Sequence, residues 1–124
     1  MKRIQVWNYL TEYEEMREII LSAVDDVFNS GQLILGKKVS ALETQIADYI
    51  GVSEIGIGVN SGTDALHIGL KALEIGPGDE VITVANTAVP TVAAIVSTGA
   101  TPKFVDVDSK TYLMDCNQIP KIIT

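Results

Sequence analysis

The polar stretch from Ser61 to Thr63 has the residue types and spacing that point most directly to chemistry. It follows an apolar run and precedes a segment with helical periodicity, so it is predicted to begin a helix. The backbone N–H groups of a first helical turn have no partner within the helix and lie at the positive end of its dipole. That arrangement suits a phosphate dianion. The alternative is that Ser61 or Thr63 only caps the helix.

The elements before this stretch are predicted to be two helices and a strand. The first helix has a capping box at Thr11–Glu14 and ends at Ser30-Gly31. The second ends at Gly51. Its predicted buried stripe consists of Val39, Leu42, Ile46 and Tyr49/Ile50. The β-branched run 55–59 predicts a strand, in which Gly56 and Gly58 let a helix pack closely.

The elements after it continue the alternation. We expect a helix over 61–74, a sharp turn over 76–79, a strand over 81–84, a helix over 88–97 ended by Gly99, and a strand over 104–107. Asp115 and Gln118 predict the cap of one more helix. Buried β-branched strands separated by helices are typical of parallel sheets, so the predicted class is α/β. Ligands bind such sheets beyond the carboxyl ends of their strands, which places 60–63, 85–88 and the segment after 106–108 at one edge.

Composition excludes several function classes. The 124 residues suffice for one modest core, and the net charge of −7, without a Lys/Arg cluster, argues against nonspecific binding to nucleic acid or a membrane surface. The single cysteine, Cys116, excludes an intrachain disulfide framework and a cysteine-based metal site, so a reducing cytoplasm is expected. No apolar run has the length of a signal-peptide core or a membrane span.

The glycines at 56, 58 and 62 loosely imitate a dinucleotide-binding fingerprint. Their spacing is GxGxxxG rather than GxGxxG, and two of them fall inside the predicted strand. The acidic pair Asp79-Glu80 also precedes the next strand instead of following it. Nicotinamide-dinucleotide binding is therefore not favoured.

Several motifs in order resemble those of one known family. They are Ser30-Gly31, Leu35-Gly36, Val39 to Gly51, Asn60-Ser61-Gly62-Thr63-Asp64-Ala65-Leu66, Gly76-Pro77-Gly78-Asp79-Glu80-Val81-Ile82, Gly99-Ala100-Thr101-Pro102 and Phe104 to Asp108. Together they resemble the DegT/DnrJ-type sugar aminotransferases, fold type I enzymes that use pyridoxal 5′-phosphate. The resemblance implies a partial three-layer sandwich with mainly parallel strands, as in the large domain of those enzymes. It also implies an N-terminal arm and helix over 1–30 and an incomplete cofactor-binding domain over 31–124.

The resemblance assigns roles to particular residues. It implies that Gly62 and Thr63 donate backbone N–H bonds to the cofactor phosphate, with Ser61 beside them and the Thr63 hydroxyl as a further donor. In many relatives the loop matching 83–91 supplies an aromatic ring that stacks on the pyridine. Ala88 stands at that position here, so only a thin apolar face is available. Asn86 and Thr87 are candidate contacts for cofactor or substrate, with loop capping as the equal alternative.

The catalytic pair of such an enzyme is not expected within this chain. Transamination needs a lysine that binds the cofactor and moves protons, and a carboxylate against the pyridinium nitrogen. In the family both lie beyond the position of the last residue here. The seven lysines fit solvated faces, turns or a terminus. Asp106 and Asp108 fit turns better than substrate or metal sites, and His67 fits an ordinary helical position, so no metal site is expected.

The resemblance therefore implies the N-terminal fragment of an enzyme that moves an amino group, commonly from glutamate, to a keto group of a nucleotide-linked sugar. The fragment alone is expected to be inactive. The full-length protein is expected to be a homodimer, in which the segment 33–36 approaches the partner's cofactor. A sugar dehydratase of the same family, a noncatalytic nucleotide-binding module and an inert truncated fragment are the alternatives.

Overall fold

The structure is a computed structural model that describes residues 6–124, so Lys2 and the rest of the first five residues of the predicted arm lie outside it. The chain divides into two compact units between Gly58 and Val59. Within the described residues, no helix is long and apolar enough to cross a membrane. The domain division predicted at residue 30 concerns the full-length protein and stays a prediction.

The first unit contains two helices, α1 (Tyr9–Ser30) and α2 (Lys37–Ile50). Both end at a glycine in the left-handed conformation, Gly31 and Gly51, as predicted. The capping box predicted at Thr11–Glu14 is wrong, because α1 already begins at Tyr9 with Asn8 as its N-cap residue. The Thr11 hydroxyl instead accepts a bond of 2.7 Å from the Asn8 side-chain amide.

Little of this unit is buried. Ala47 is the buried apolar side chain of α2. The predicted buried stripe is wrong for this chain, because Leu42, Ile46, Tyr49 and Ile50 are 46–89% exposed. The helical period was read correctly, but a stripe is buried only when another layer covers it. The described residues provide no such layer over these four side chains.

The strand predicted over 55–59 is also wrong. This segment joins no β-ladder in the described part of the chain. It is held to α2 instead, because the Gly56 N–H donates to the Glu43 carbonyl over 3.3 Å and the Gly58 N–H donates to Glu43 Oε1 over 2.7 Å. A Cβ on Gly56 would lie 3.1 Å from the Glu43 carbonyl oxygen. The expected close approach of a helix at these two glycines is confirmed, although no sheet is formed there.

The second unit contains α3 (Gly62–Ala72), β1 (Glu80–Val84), α4 (Val89–Thr98) and β2 (Thr101–Val105). The two strands are parallel and pair in register from Glu80 with Thr101 to Val84 with Val105. α3 packs against α4, and α4 packs against β2. A 3₁₀ helix over Cys116–Lys121 follows, and Asp115 is its cap, as the sequence predicted. The Asp115 side chain accepts from the Asn117 N–H and also from Gln118 Nε2.

The last strand, β2, begins at Thr101, which is three residues before the start of the strand predicted over 104–107. The ladder starts at Thr101, whose N–H donates to the Asp79 carbonyl over 2.9 Å. Val107 lies outside it and forms an isolated antiparallel bridge with Met114. The described chain therefore has two strands in its sheet, where the sequence predicted three. The predicted α/β class with parallel strands is confirmed.

The core of the second unit is small and lies where α4 meets the sheet. Its buried apolar side chains are Ala94, Ile95, Ala100 and Val105. Thr98 is buried with them, and its hydroxyl donates to the Ile95 carbonyl and accepts from the Ala100 N–H. Gly99 ends α4 at a φ of 91° and so turns the chain directly into β2.

Candidate phosphate-binding site

Ser61 caps the start of α3. Its backbone is extended, and its hydroxyl accepts a hydrogen bond of 3.1 Å from the Asp64 N–H. The Ser61 carbonyl accepts the first intrahelical bond, from the Ala65 N–H, over 3.1 Å. The helix therefore begins as the sequence predicted, with a serine satisfying one of the donors of the first turn.

Two donors of that turn remain available. Within residues 6–124, neither the Gly62 nor the Thr63 N–H has a backbone or side-chain acceptor. A Cβ built on Gly62 would meet nothing within 4 Å, so the approach to these donors is open. Two adjacent N–H groups at the positive end of an 11-residue helix form a donor set that fits a phosphate group. Thr63 is half-buried beside them.

Asp64 also belongs to this site, although no role for it was predicted from the sequence. The Ser61 hydroxyl donates to Asp64 Oδ2 over 3.0 Å while it accepts from the Asp64 N–H. Both functions of the Ser61 hydroxyl are therefore used within the first turn. The spacing of Ser61 and Asp64 matches that of a capping box with an aspartate in the third helical position, and this signal in the sequence could have identified the pair.

The loop between β1 and α4 holds the other predicted site residues. Residues 85–88 are exposed and follow the carboxyl end of β1. Ala88 is the N-cap residue of α4 and offers no side-chain cap. The hydroxyls of Thr87 and Thr91 form a hydrogen bond of 2.9 Å. This is the loop-capping contact that the sequence offered as the alternative to cofactor or substrate binding. Because α3 and α4 pack together, this loop and the Ser61–Thr63 turn lie at the N-terminal ends of two neighbouring helices.

The remaining acidic candidates form turns. Asp108 Oδ1 accepts from the Thr111 N–H over 2.8 Å and from the Lys110 N–H over 3.0 Å. These bonds hold the pKa of Asp108 below its usual range, Thr111 having the larger effect. Asp106 Oδ1 accepts from the Val107 N–H. Within the described residues, no group of three His, Cys, Asp or Glu side chains could hold a metal ion.

Two of the lysines, Lys71 and Lys103, form contacts within the second unit. Lys71 Nζ donates to the Thr98 carbonyl over 3.0 Å and so joins the ends of α3 and α4. Lys103 forms an ion pair of 2.9 Å with Glu80. His67 is half-buried on α3, and its Nδ1 atom is buried without a hydrogen-bond partner among the described residues.

The family model that matches this chain is that of the DegT/DnrJ/EryC1/StrS aminotransferase family, over residues 14–124. A similar curated protein is dTDP-3-amino-3,4,6-trideoxy-alpha-D-glucose transaminase from Micromonospora megalomicea subsp. nigra. It is 49% identical over 119 residues, which are 96% of this chain and 32% of that protein. The chain thus spans about a third of the length of this relative.

Solved structures of similar proteins also superpose on this chain. The S. venezuelae DesV structure in complex with a ketimine intermediate superposes with a TM-score of 0.93 at 35% identity, covering 100% of this chain and 33% of that one. The structure of NtdA from Bacillus subtilis with bound cofactor PMP superposes with a TM-score of 0.84 at 34% identity. It covers 89% of this chain and 25% of that one.

Proposed function

Because the chain belongs to the DegT/DnrJ/EryC1/StrS aminotransferase family, we propose that it forms the N-terminal, phosphate-binding part of a pyridoxal-phosphate-dependent sugar aminotransferase. The proposed activity belongs to the protein at its full natural length. That activity is transfer of an amino group, commonly from glutamate, to a keto group of a nucleotide-linked sugar. The relative from Micromonospora, a transaminase of a dTDP-linked sugar, supports this substrate class.

The observation that carries the proposal is that the N–H groups of Gly62 and Thr63 have no acceptor among the described residues. We assign both to the cofactor phosphate, with the half-buried Thr63 hydroxyl as a further donor. Pyridoxal phosphate, when bound, supplies the electron sink that amino-group transfer requires. The contribution of this turn is to bind the phosphate and so fix the position of the ring.

The loop after β1 is assigned to the cofactor ring and the substrate. Ala88, the N-cap residue of α4, has only a methyl group as its side chain, so it offers a small apolar contact. Asn86 and Thr87 are exposed in the same loop and have the amide and hydroxyl groups that sugar or cofactor oxygens need.

Assembly is the third part of the proposal. Leu33, Ile34 and Leu35 are 62–85% exposed, and an exposed apolar run of this kind is typical of an interface. We assign the segment 33–36 to a homodimer interface, where it approaches the partner's cofactor. The cytoplasmic location follows from the cysteine content alone and stays a prediction.

The phosphate assignment is tested by replacing Gly62 with valine in the protein at its full natural length. The valine side chain would fill the open space over the first turn, so affinity for pyridoxal phosphate should fall by about tenfold or more. A hydrogen bond to a charged group contributes about 1.5–3 kcal/mol, and close approach to the N–H donors would be lost. Titration followed by absorbance measures the affinity.

Gly69→Val is the matched control. Gly69 lies in the same helix, and a Cβ there also meets nothing within 4 Å. This control should keep the affinity of the unmodified protein. A folded Gly62→Val protein with unchanged affinity would show that the start of α3 does not hold the phosphate.

A further inference from the structure

The Asp64 carboxylate is not needed to cap α3. The capping bond runs from the Asp64 backbone N–H to the Ser61 hydroxyl, and it would form with any residue other than proline at position 64. The second bond, from the Ser61 hydroxyl to Asp64 Oδ2 over 3.0 Å, adds a negative charge to the same turn. Asp64 is half-buried, so this charge is partly withdrawn from solvent.

The carboxylate shares the chemistry of the group proposed to bind here. Both are anions, and both are stabilised at the positive end of a helix dipole. Within the described residues the carboxylate bonds to the Ser61 hydroxyl and leaves the Gly62 and Thr63 N–H groups free. It therefore stabilises the empty turn without occupying the donors, and it repels a dianion that comes to them.

We propose that Asp64 tunes the phosphate affinity of the first turn of α3, because its carboxylate stabilises the turn without ligand and opposes phosphate binding there. This proposal rests on the proposed function, in which Gly62 and Thr63 bind the cofactor phosphate. It also implies that Ser61 keeps its hydroxyl for Asp64, so that the phosphate is bound through Gly62 and Thr63 rather than through Ser61.

The test uses Asp64→Asn in the protein at its full natural length. An asparagine oxygen can still accept from Ser61, so the variant removes the charge and keeps the geometry. Affinity for pyridoxal phosphate should rise by about two- to tenfold. Affinity for pyridoxal, which has no phosphate, should stay unchanged. The melting temperature of the cofactor-free protein should fall by about 1–3 °C.

Two further variants keep the result interpretable. Asp64→Ala should raise the affinity for pyridoxal phosphate as Asp64→Asn does, and it replaces that variant if Asp64→Asn does not fold. Asp48→Asn makes the same change in net charge on α2 and should leave the affinity unchanged. Equal affinities in the Asp64 variants and the unmodified protein would overturn the proposal, as would an equal gain in Asp48→Asn or an equal gain for pyridoxal.

Failure of this proposal and failure of the proposed function give different patterns. If Gly62→Val weakens binding while both Asp64 variants bind as the unmodified protein does, the phosphate site stands and the role of Asp64 is wrong. If Gly62→Val binds normally, the site itself is wrong, and with it the role of Asp64.

Discussion

Thr63 brings two groups to the first turn of α3, a backbone N–H and a side-chain hydroxyl. The Thr63→Ala variant of the natural full-length protein removes only the hydroxyl, so its loss of pyridoxal phosphate affinity should be smaller than that of Gly62→Val. A neutral hydrogen bond contributes about 0.5–1.5 kcal/mol. Thr63→Ser keeps the hydroxyl and should bind nearly as well as the unmodified protein. A loss in Thr63→Ala that equals the loss in Gly62→Val would make the hydroxyl, not the backbone, the main donor.

Glu80 and Lys103 give the structure a local pH dependence. The hydrogen bond from Lys103 is the main reason that the pKa of Glu80 lies below its usual range. A carboxylate with a lowered folded-state pKa stabilises the fold above its unfolded-state pKa, and this contribution is lost as pH falls through the folded-state pKa. In Lys103→Met the pKa of Glu80 should rise, whereas Lys110→Met should leave it unchanged. An NMR titration of the Glu80 carboxyl carbon tests this, and equal pKa values in both variants would contradict it.

Single residues were predicted well where one local contact decides the outcome. The cap at Ser61 and the cap at Asp115 follow from a side chain and an N–H two or three residues further on. The start of α1 was missed because Asn8 and Thr11 both suit a cap, and the choice between them depends on the contact between their side chains. The hydrogen bond between Ser61 and Asp64 depends on a rotamer, which residue types alone do not specify.

At the scale of elements, the turn from α4 into β2 depends on one glycine. Gly99 has a φ of 91°, and a Cβ there would lie 2.8 Å from Pro77 Cγ. Gly78 has a φ of 98° and open space around it, so it is the matched control. Gly78→Ala should cost about 1 kcal/mol for strain, and Gly99→Ala should cost about 2–4 kcal/mol for strain and overlap together. Urea denaturation of the natural full-length variants measures both costs, and equal costs would contradict the contact with Pro77.

The helices were predicted more accurately than the strands for a physical reason. A helix satisfies its own hydrogen bonds, so its bounds follow from periodicity and from end signals such as Gly31, Gly51 and Gly99. A strand needs a neighbour. The apolar run 55–59 has the composition of a strand, but no described strand lies beside it to form a ladder.

At the scale of the whole molecule, the chain leaves much apolar surface uncovered. Among the described residues, many large apolar side chains are exposed, for example Ile34 at 85%, Tyr49 at 89% and Ile57 at 81%. In the part of the chain that the structure describes, both strands of the sheet also have an unpaired edge, and parallel strands are normally covered on both faces. The solved relatives are about three times as long, which is consistent with further protein over these surfaces.

We therefore expect the 124-residue chain by itself to self-associate and to melt without a sharp transition. Sedimentation and calorimetry measure the two properties. The natural full-length protein is the control and should melt cooperatively. A monomeric 124-residue chain with a sharp melt would show that this chain is an independent domain.

The same chain alone should have no transaminase activity, because the family resemblance assigns neither the cofactor-binding lysine nor the pyridinium carboxylate to any of its residues. The assay uses glutamate with a panel of keto-sugar nucleotides, in a preparation free of host enzymes. Turnover above a control with cofactor but no protein would contradict the expectation. Borohydride trapping and peptide mapping would then identify the lysine responsible.

A crystal structure of the natural full-length protein with pyridoxal phosphate would show directly which groups bind the cofactor phosphate. We predict phosphate oxygens within about 2.7–3.2 Å of the backbone nitrogens of Gly62 and Thr63, with the ring facing the loop that contains Ala88. A phosphate bound elsewhere, with both N–H groups left to solvent, would contradict the claim that the first turn of α3 holds the cofactor.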